Sequence, residues 1–178
     1  MGIFDFLKSK KEEPIIDFTV NDLKKGFMVD YFMKTWEVKK VYIYDWGNNF
    51  FSKEFLLDAG GETLYLSVED DDKLICSVWN KLDIFDIDSE LARTITKNDD
   101  APDRLVYDNK TFIRKESSQG HCIEEGEDEE KASEFVNWMY EHAESKELIS
   151  IDRWGEEEYD AAKGNYVEEF EFSNILPR

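Results

Sequence analysis

Two cysteines and two histidines are the natural starting point for chemistry, and His121 stands directly before Cys122. Nucleophilic catalysis needs a thiol and its base within hydrogen-bond reach. On a strand, neighbouring side chains point to opposite faces, so this pair reads as one core thiol and one exposed imidazole. Cys76, Cys122, His121 and His142 are the only soft metal ligands in the sequence, and no CxxC or HxxxH spacing joins them. Zinc needs about four ligands at such spacing. Carboxylates crowd at Asp70–Asp72 and Glu124–Glu130, but neither run has the ligand spacing of an EF-hand loop. With 42 acidic residues, carboxylate pairs suited to general acid–base work are unavoidable and say little. There is no glycine-rich phosphate loop and no G-x-S-x-G elbow. The expectation is a protein without catalytic residue, metal or cofactor, hence not an enzyme. An enzyme built on an unrecognised carboxylate site is one alternative.

Aromatic residues are a second source of chemistry. Of the five tryptophans, Trp36 and Trp138 lie in strong strand contexts and read as core. Trp46 and Trp154 each precede a glycine, beside a turn. Packing at those turns is their plainer role. Rim tryptophans also anchor partners, and aromatic faces beside carboxylates attract organic cations. Acids and aromatics mix through Asp152-Arg153-Trp154-Gly155-Glu156-Glu157-Glu158-Tyr159, so Trp46 and Trp154 with Glu156, Glu157, Glu158 and Tyr159 are the candidate interaction surface.

The net charge is −20, from 22 basic and 42 acidic residues. Binding to nucleic acid needs Lys and Arg to displace counterions from phosphates, so that partner is excluded. An anionic membrane is repelled in the same way. Basic proteins, cations and polyamines are attracted, although the same charge also serves plain solubility.

These residues must be positioned by a chain of 178 residues with 41% apolar and 15% aromatic content, enough for a packed core. Residues 1–17 read as a tail. Ile3, Phe4, Phe6 and Leu7, followed by Lys8, Lys10 and Lys11, form a candidate membrane-touching turn; a frayed or docked terminus is the competing reading. No stretch has the length of a membrane span or the form of a secretory signal, which points to a cytoplasmic protein with free thiols. Thr19 to Asp22 resembles a helix cap and Gly26 a stop, placing one short helix at about 20–25.

After Gly26 the stretches 27–33, 35–46, 50–58, 62–69 and 73–80 are rich in β-branched and aromatic residues, with turn formers between them. They read as an antiparallel meander. Residues 98–103 read as a linker. Leu105-Val106-Tyr107 and Thr111-Phe112-Ile113 flank a turn at Asp108-Asn109-Lys110. Further strands are expected at 134–142, 147–154 and 166–172, with Gly164-Asn165 as a turn.

The halves 18–98 and 99–178 resemble each other. Tyr31, Thr35 and Trp36 match Tyr107, Thr111 and Phe112; Leu66-Ser67-Val68-Glu69 matches Ile149-Ser150-Ile151-Asp152. This suggests duplication of a small β-unit. It also makes residues 134–142, which lack Gly and Pro, a strand and not a helix. The expected fold is mostly β: two related antiparallel meander-like halves, as small barrels or packed sheets, behind one short N-terminal helix.

The order of these motifs carries a resemblance. The cap before Gly26, Tyr31 to Trp36, Lys53 to Leu57, Leu64 to Glu69, Leu105 to Phe112, Trp138-Met139-Tyr140, Leu148 to Asp152 and a terminal Glu169 to Phe172 strand resemble the bacterial family called domain of unknown function 4178. The resemblance spans about residues 18–176. It implies a bacterial cytoplasmic protein, with links to membrane stress and polyamine metabolism, and it carries over no catalytic residue. The functional expectation is an accessory binding module that presents an acidic, aromatic β-surface to a basic protein or a polyamine. An inhibitor of a basic toxin, of the immunity-protein kind, is the other alternative.

Overall fold

The computed structural model describes residues 18–178. The tail residues Ile3, Phe4, Phe6 and Leu7 lie outside the described residues. The expected helix cap is present as one 3-10 turn, Val20–Asp22. The Thr19 backbone N–H donates to the Asp22 carboxylate at 2.9 Å, and Gly26 leaves the turn with φ 89°.

Eleven strands follow. The first half contains β1 (Met28–Tyr31), β2 (Lys34–Asp45), β3 (Phe51–Ala59), β4 (Glu62–Asp70) and β5 (Leu74–Leu82). Two short helices, α1 (Ile84–Ile87) and α2 (Leu91–Asn98), lead to β6 (Arg104–Tyr107), β7 (Lys110–Glu124), β8 (Ser133–His142), β9 (Glu147–Trp154), β10 (Glu158–Val167) and β11 (Ser173–Leu176). Residues 134–142 are a strand, as expected, paired antiparallel to β7 and β9.

Neighbouring strands run in the order β11-β1-β2-β3-β4-β5-β10-β9-β8-β7-β6. Tyr42–Asp45 of β2 also pair with His121–Glu124 of β7. That pairing closes β2, β3, β4, β5, β10, β9, β8 and β7 into one antiparallel barrel, with β1, β11 and β6 as extensions. The sequence leaves small barrels and packed sheets open; closure is in fact shared. Each half contributes four strands to a single barrel, since about eight are needed to enclose side chains.

Bulges in β2 (between Val38 and Lys40) and β7 (between Arg114 and Glu116) make this geometry. A bulge inserts one residue and so resets which face the alternation serves. Val38 and Val41 thereby enter the same core despite their odd spacing.

Two apolar cores lie on the face turned away from the barrel interior. In the first, Phe55, Leu57 and Leu66 are covered by Val20, Leu23 and Phe172. In the second, Trp138, Tyr140 and Ile151 are covered by Ile87, Leu91 and Ile95 of the helices. Trp36 and Trp138 are core residues, 3% and 1% exposed. Residues 98–103 are pinned to the second core. Asp100 accepts hydrogen bonds from Arg114 Nη1 at 2.7 Å and Trp138 Nε1 at 2.9 Å. The Pro102 carbonyl accepts one from the Tyr140 hydroxyl at 2.8 Å.

Two expectations are corrected. Gly164-Asn165 is not a turn: both lie inside β10, paired with Trp79 and Val78 of β5. Glycine is needed there because a Cβ would lie 2.4 Å from the Trp79 ring. Residues 166–172 are consequently not one strand. Glu169–Glu171 form a 3-10 turn, closed by the Glu171 carboxylate accepting from the Glu168 N–H at 2.8 Å. This turn delivers Phe172 to stack on Tyr31 at 4.6 Å.

Candidate functional site

The barrel face opposite the two cores converges on a cavity of about 280 Å³. Every barrel strand contributes to its wall: Tyr44 from β2, Glu54 from β3, Ser67 from β4, Trp79 from β5, Cys122 from β7, Asn137 from β8, Asp152 from β9 and Ala162 from β10. Strand alternation explains the set. Phe55, Leu66, Trp138 and Ile151 point outward into the cores, so their neighbours Glu54, Ser67, Asn137 and Asp152 point inward.

Most of these inward polar groups are tied together. Asn137 Nδ2 donates to Ser150 Oγ and to Asp152 Oδ1, both at 2.7 Å. Trp46 Nε1 donates to Ser52 Oγ, and Trp79 Nε1 to Ser77 Oγ, each at 2.8 Å. Glu54 is served less well: among the described residues its carboxylate accepts only the Tyr44 hydroxyl, at 3.3 Å. Trp154 Nε1 is buried and has no acceptor among the described residues.

Glu54 and Asp152 are half-buried residues, with protein around both carboxyls. Burial penalises their charged forms. It pushes Glu54 up to about 7, with the Asp152 charge adding to the effect. Burial raises Asp152 to about 6, against the Asn137 hydrogen bond, which favours the anion. Burial also pushes the Cys122 thiol up to about 11 and holds the Tyr44 phenol well above its ordinary value. Neither Cys122 nor Tyr44 supplies a nucleophile near neutral pH.

His121 and Cys122 take opposite faces. Cys122 lines the cavity, while the His121 imidazole is exposed, with Nε2 3.5 Å from Glu134. Among the described residues no group of three or more His, Cys, Asp and Glu side chains is arranged to hold a metal ion. No described helix is long and apolar enough to cross a membrane.

The residues proposed from sequence as one interaction surface separate into two places. Trp46 and Trp154 both reach the cavity wall. They flank Phe135, each with ring centroids 5.1 Å from it, and Tyr44 stacks on Trp46 at 5.8 Å. Glu156, Glu157 and Glu158 are exposed at the β9–β10 turn. Tyr159 leans on the outer face, its hydroxyl 2.8 Å from Thr96 Oγ1 of α2. The sequence reading includes Asp152, at the head of the stretch 152–159, but not Glu54, and does not join the two; the interior pair was missed. Its only signal was an acid inside each alternating strand, which reads equally well as a solvent-facing position.

The fold is a closed antiparallel barrel with an acidic, aromatic interior. The chain belongs to the family described as domain of unknown function (DUF4178), whose sequence profile matches residues 24–169. This agrees with the order of motifs read from the sequence. An uncharacterized protein from Aquifex aeolicus (strain VF5) is 26% identical over 176 residues, covering 99% of this chain and 95% of that relative. No solved structure matches.

Proposed function

We propose that this protein is a non-enzymatic binding module that takes a small organic cation, such as a polyamine, into the barrel. One observation carries the reading: Glu54 and Asp152 converge with Trp46, Trp79 and Trp154 on a single cavity. Carboxylates supply charge and indole faces supply cation–π attraction. The volume lies near the lower end of ordinary ligand sites, which suits a slender amine. The exterior, at net charge −20, raises the local concentration of cations. It leaves the acidic turn at Glu156–Glu158 as a surface for a basic protein.

Titration calorimetry with spermidine at 0.15 M salt tests the reading. Binding that is lost in an E54Q/D152N double variant is the expected result. Heat indistinguishable from the salt-screened background, or binding unchanged in the double variant, would refute it.

The same pair supports a second reading. A carboxyl held at about 7 beside one held at about 6 has the form of a general acid and its partner. Turnover of a cationic substrate, lost in both E54Q and D152N, would favour that enzyme over a binder. The proposal places the protein in a reducing cytoplasm, since Cys76 and Cys122 are both free thiols. It also takes the halves as copies of one unit, because each runs a short hairpin, a bulged long strand and three meander strands.

A further inference from the structure

The charges on the cavity wall do not balance. Glu54, Asp152 and Asp160 stand against one base, Lys81. The Lys81 side chain is largely exposed; its ammonium lies 3.8 Å from Asp160 and 6.0 Å from the centre of the Tyr65 ring. The nearest cation is thus engaged at the mouth by the third acid. The two deeper carboxyls are unequal. Asp152 accepts a short hydrogen bond from Asn137 and is equipped to be the anion. Glu54 has, among the described residues, only the long Tyr44 contact and is equipped to be the neutral acid. Two carboxylates facing one cavity, with their one wall cation already shared with Asp160, are costly to ionise together, and keeping one proton lowers that cost.

We propose that the cavity exchanges a proton for its ligand's positive charge, Glu54 holding the proton in the free protein and releasing it to solvent when an organic ammonium enters beside Asp152. The proposal rests on the cation-binding reading of this site. The exchange balances: the Glu54 O–H bond breaks, its proton passes to water, and the carboxylate left behind pairs with the incoming cation. Two other groups facing Glu54 cannot take this part near neutrality. From β2, Tyr44 is held well above its ordinary value; from β7, Cys122 stands at about 11. The β4 wall adds the Tyr65 phenol, β5 the Lys81 ammonium and β10 the Asp160 carboxylate. The β8 wall adds Asn137 and Met139, which do not titrate. Burial and the Asp152 charge place Glu54 at about 7, where the exchange is felt at neutral pH.

Calorimetry with spermidine at pH 6.5, in two buffers of different ionisation heat, counts the protons. The expected result is release of roughly one proton per spermidine, with affinity falling up to about tenfold per pH unit below pH 7. E54Q should still bind but release at most about a quarter of a proton at pH 6.5, from Asp152 at about 6, and show a weaker pH dependence. Its native tryptophan fluorescence would establish that it is folded. Binding without proton release, or release unchanged in E54Q, overturns the exchange while leaving the cation site standing. Absence of spermidine binding overturns both.

Discussion

The raised Glu54 carboxyl makes folding stability fall as pH rises, and Glu54→Gln isolates that effect. Glu54 ionises near its ordinary value of 4.5 in the unfolded chain and at about 7 in the fold. Between those values the folded state holds the extra proton, so its contribution to stability is full below pH 4.5 and lost by pH 7. A difference of about 2.5 units, at 1.36 kcal/mol each, amounts to about 3 kcal/mol. Coupling to Asp152 and water entering the cavity reduce this toward about 2 kcal/mol. Glutamine has nearly the same shape and no charge. E54Q should therefore match wild type near pH 4 and exceed it by about 2–3 kcal/mol at pH 8. Urea unfolding followed by tryptophan fluorescence at the two pH values gives both numbers. Taking the difference between variants cancels the other carboxylates, including Glu147, which Lys110, Ser145 and Lys163 hold at about 2. An E54Q variant equally less stable at both pH values would refute the reasoning, because it would mean that the ionised carboxylate is well accommodated.

Three further substitutions probe the frame around the cavity. Gly164→Ala puts a methyl group 2.4 Å from the Trp79 ring and 2.7 Å from the Val78 carbonyl oxygen; thermal unfolding should show a loss of about 1–3 kcal/mol from overpacking. Asp100→Ala strips the acceptor from Arg114 and Trp138, and should cost about 1–3 kcal/mol in urea unfolding while shifting tryptophan emission. Trp154→Phe deletes a buried donor that has no acceptor among the described residues; calorimetric unfolding should show it neutral or stabilising within about 1 kcal/mol.

Much of the sheet was legible because each strand carries its own marks. β-Branched and aromatic residues alternate through β2 to β5, and Gly60-Gly61, with φ of 70° and 97°, turns β3 into β4. What failed was local in form but tertiary in cause. Gly164 reads as a turn residue, and only the Trp79 ring packed against it explains a glycine inside β10. Glu169 to Phe172 alternates like a strand, but its self-capping carboxylate makes a 3-10 turn. Ile84–Ile87 is too short for helical periodicity to reveal, and its Asp83 cap, accepting from the Phe85 N–H at 2.9 Å, was the available signal.

The site itself was hidden by closure. Alternation says that Glu54 and Asp152 oppose Phe55 and Ile151, and an open sheet would turn those acids toward water. Pairing of β2 with β7 turns that polar face inward. This contact joins residues some eighty positions apart, and no local pattern announces it. The sequence did single out Trp46 and Trp154, for the turns beside them. The fold uses the same two residues as walls of the cavity.

Nuclear magnetic resonance of the five indole N–H groups during spermidine titration tests the interior site most directly. Saturable shifts are expected at Trp46, Trp79 and Trp154, which line the cavity, and none at Trp36 and Trp138, which lie in the outer cores. Shifts confined to the backbone amides of Glu124–Glu130 and Glu156–Glu158, with the cavity indoles unmoved, would place the cation on the acidic exterior and contradict it.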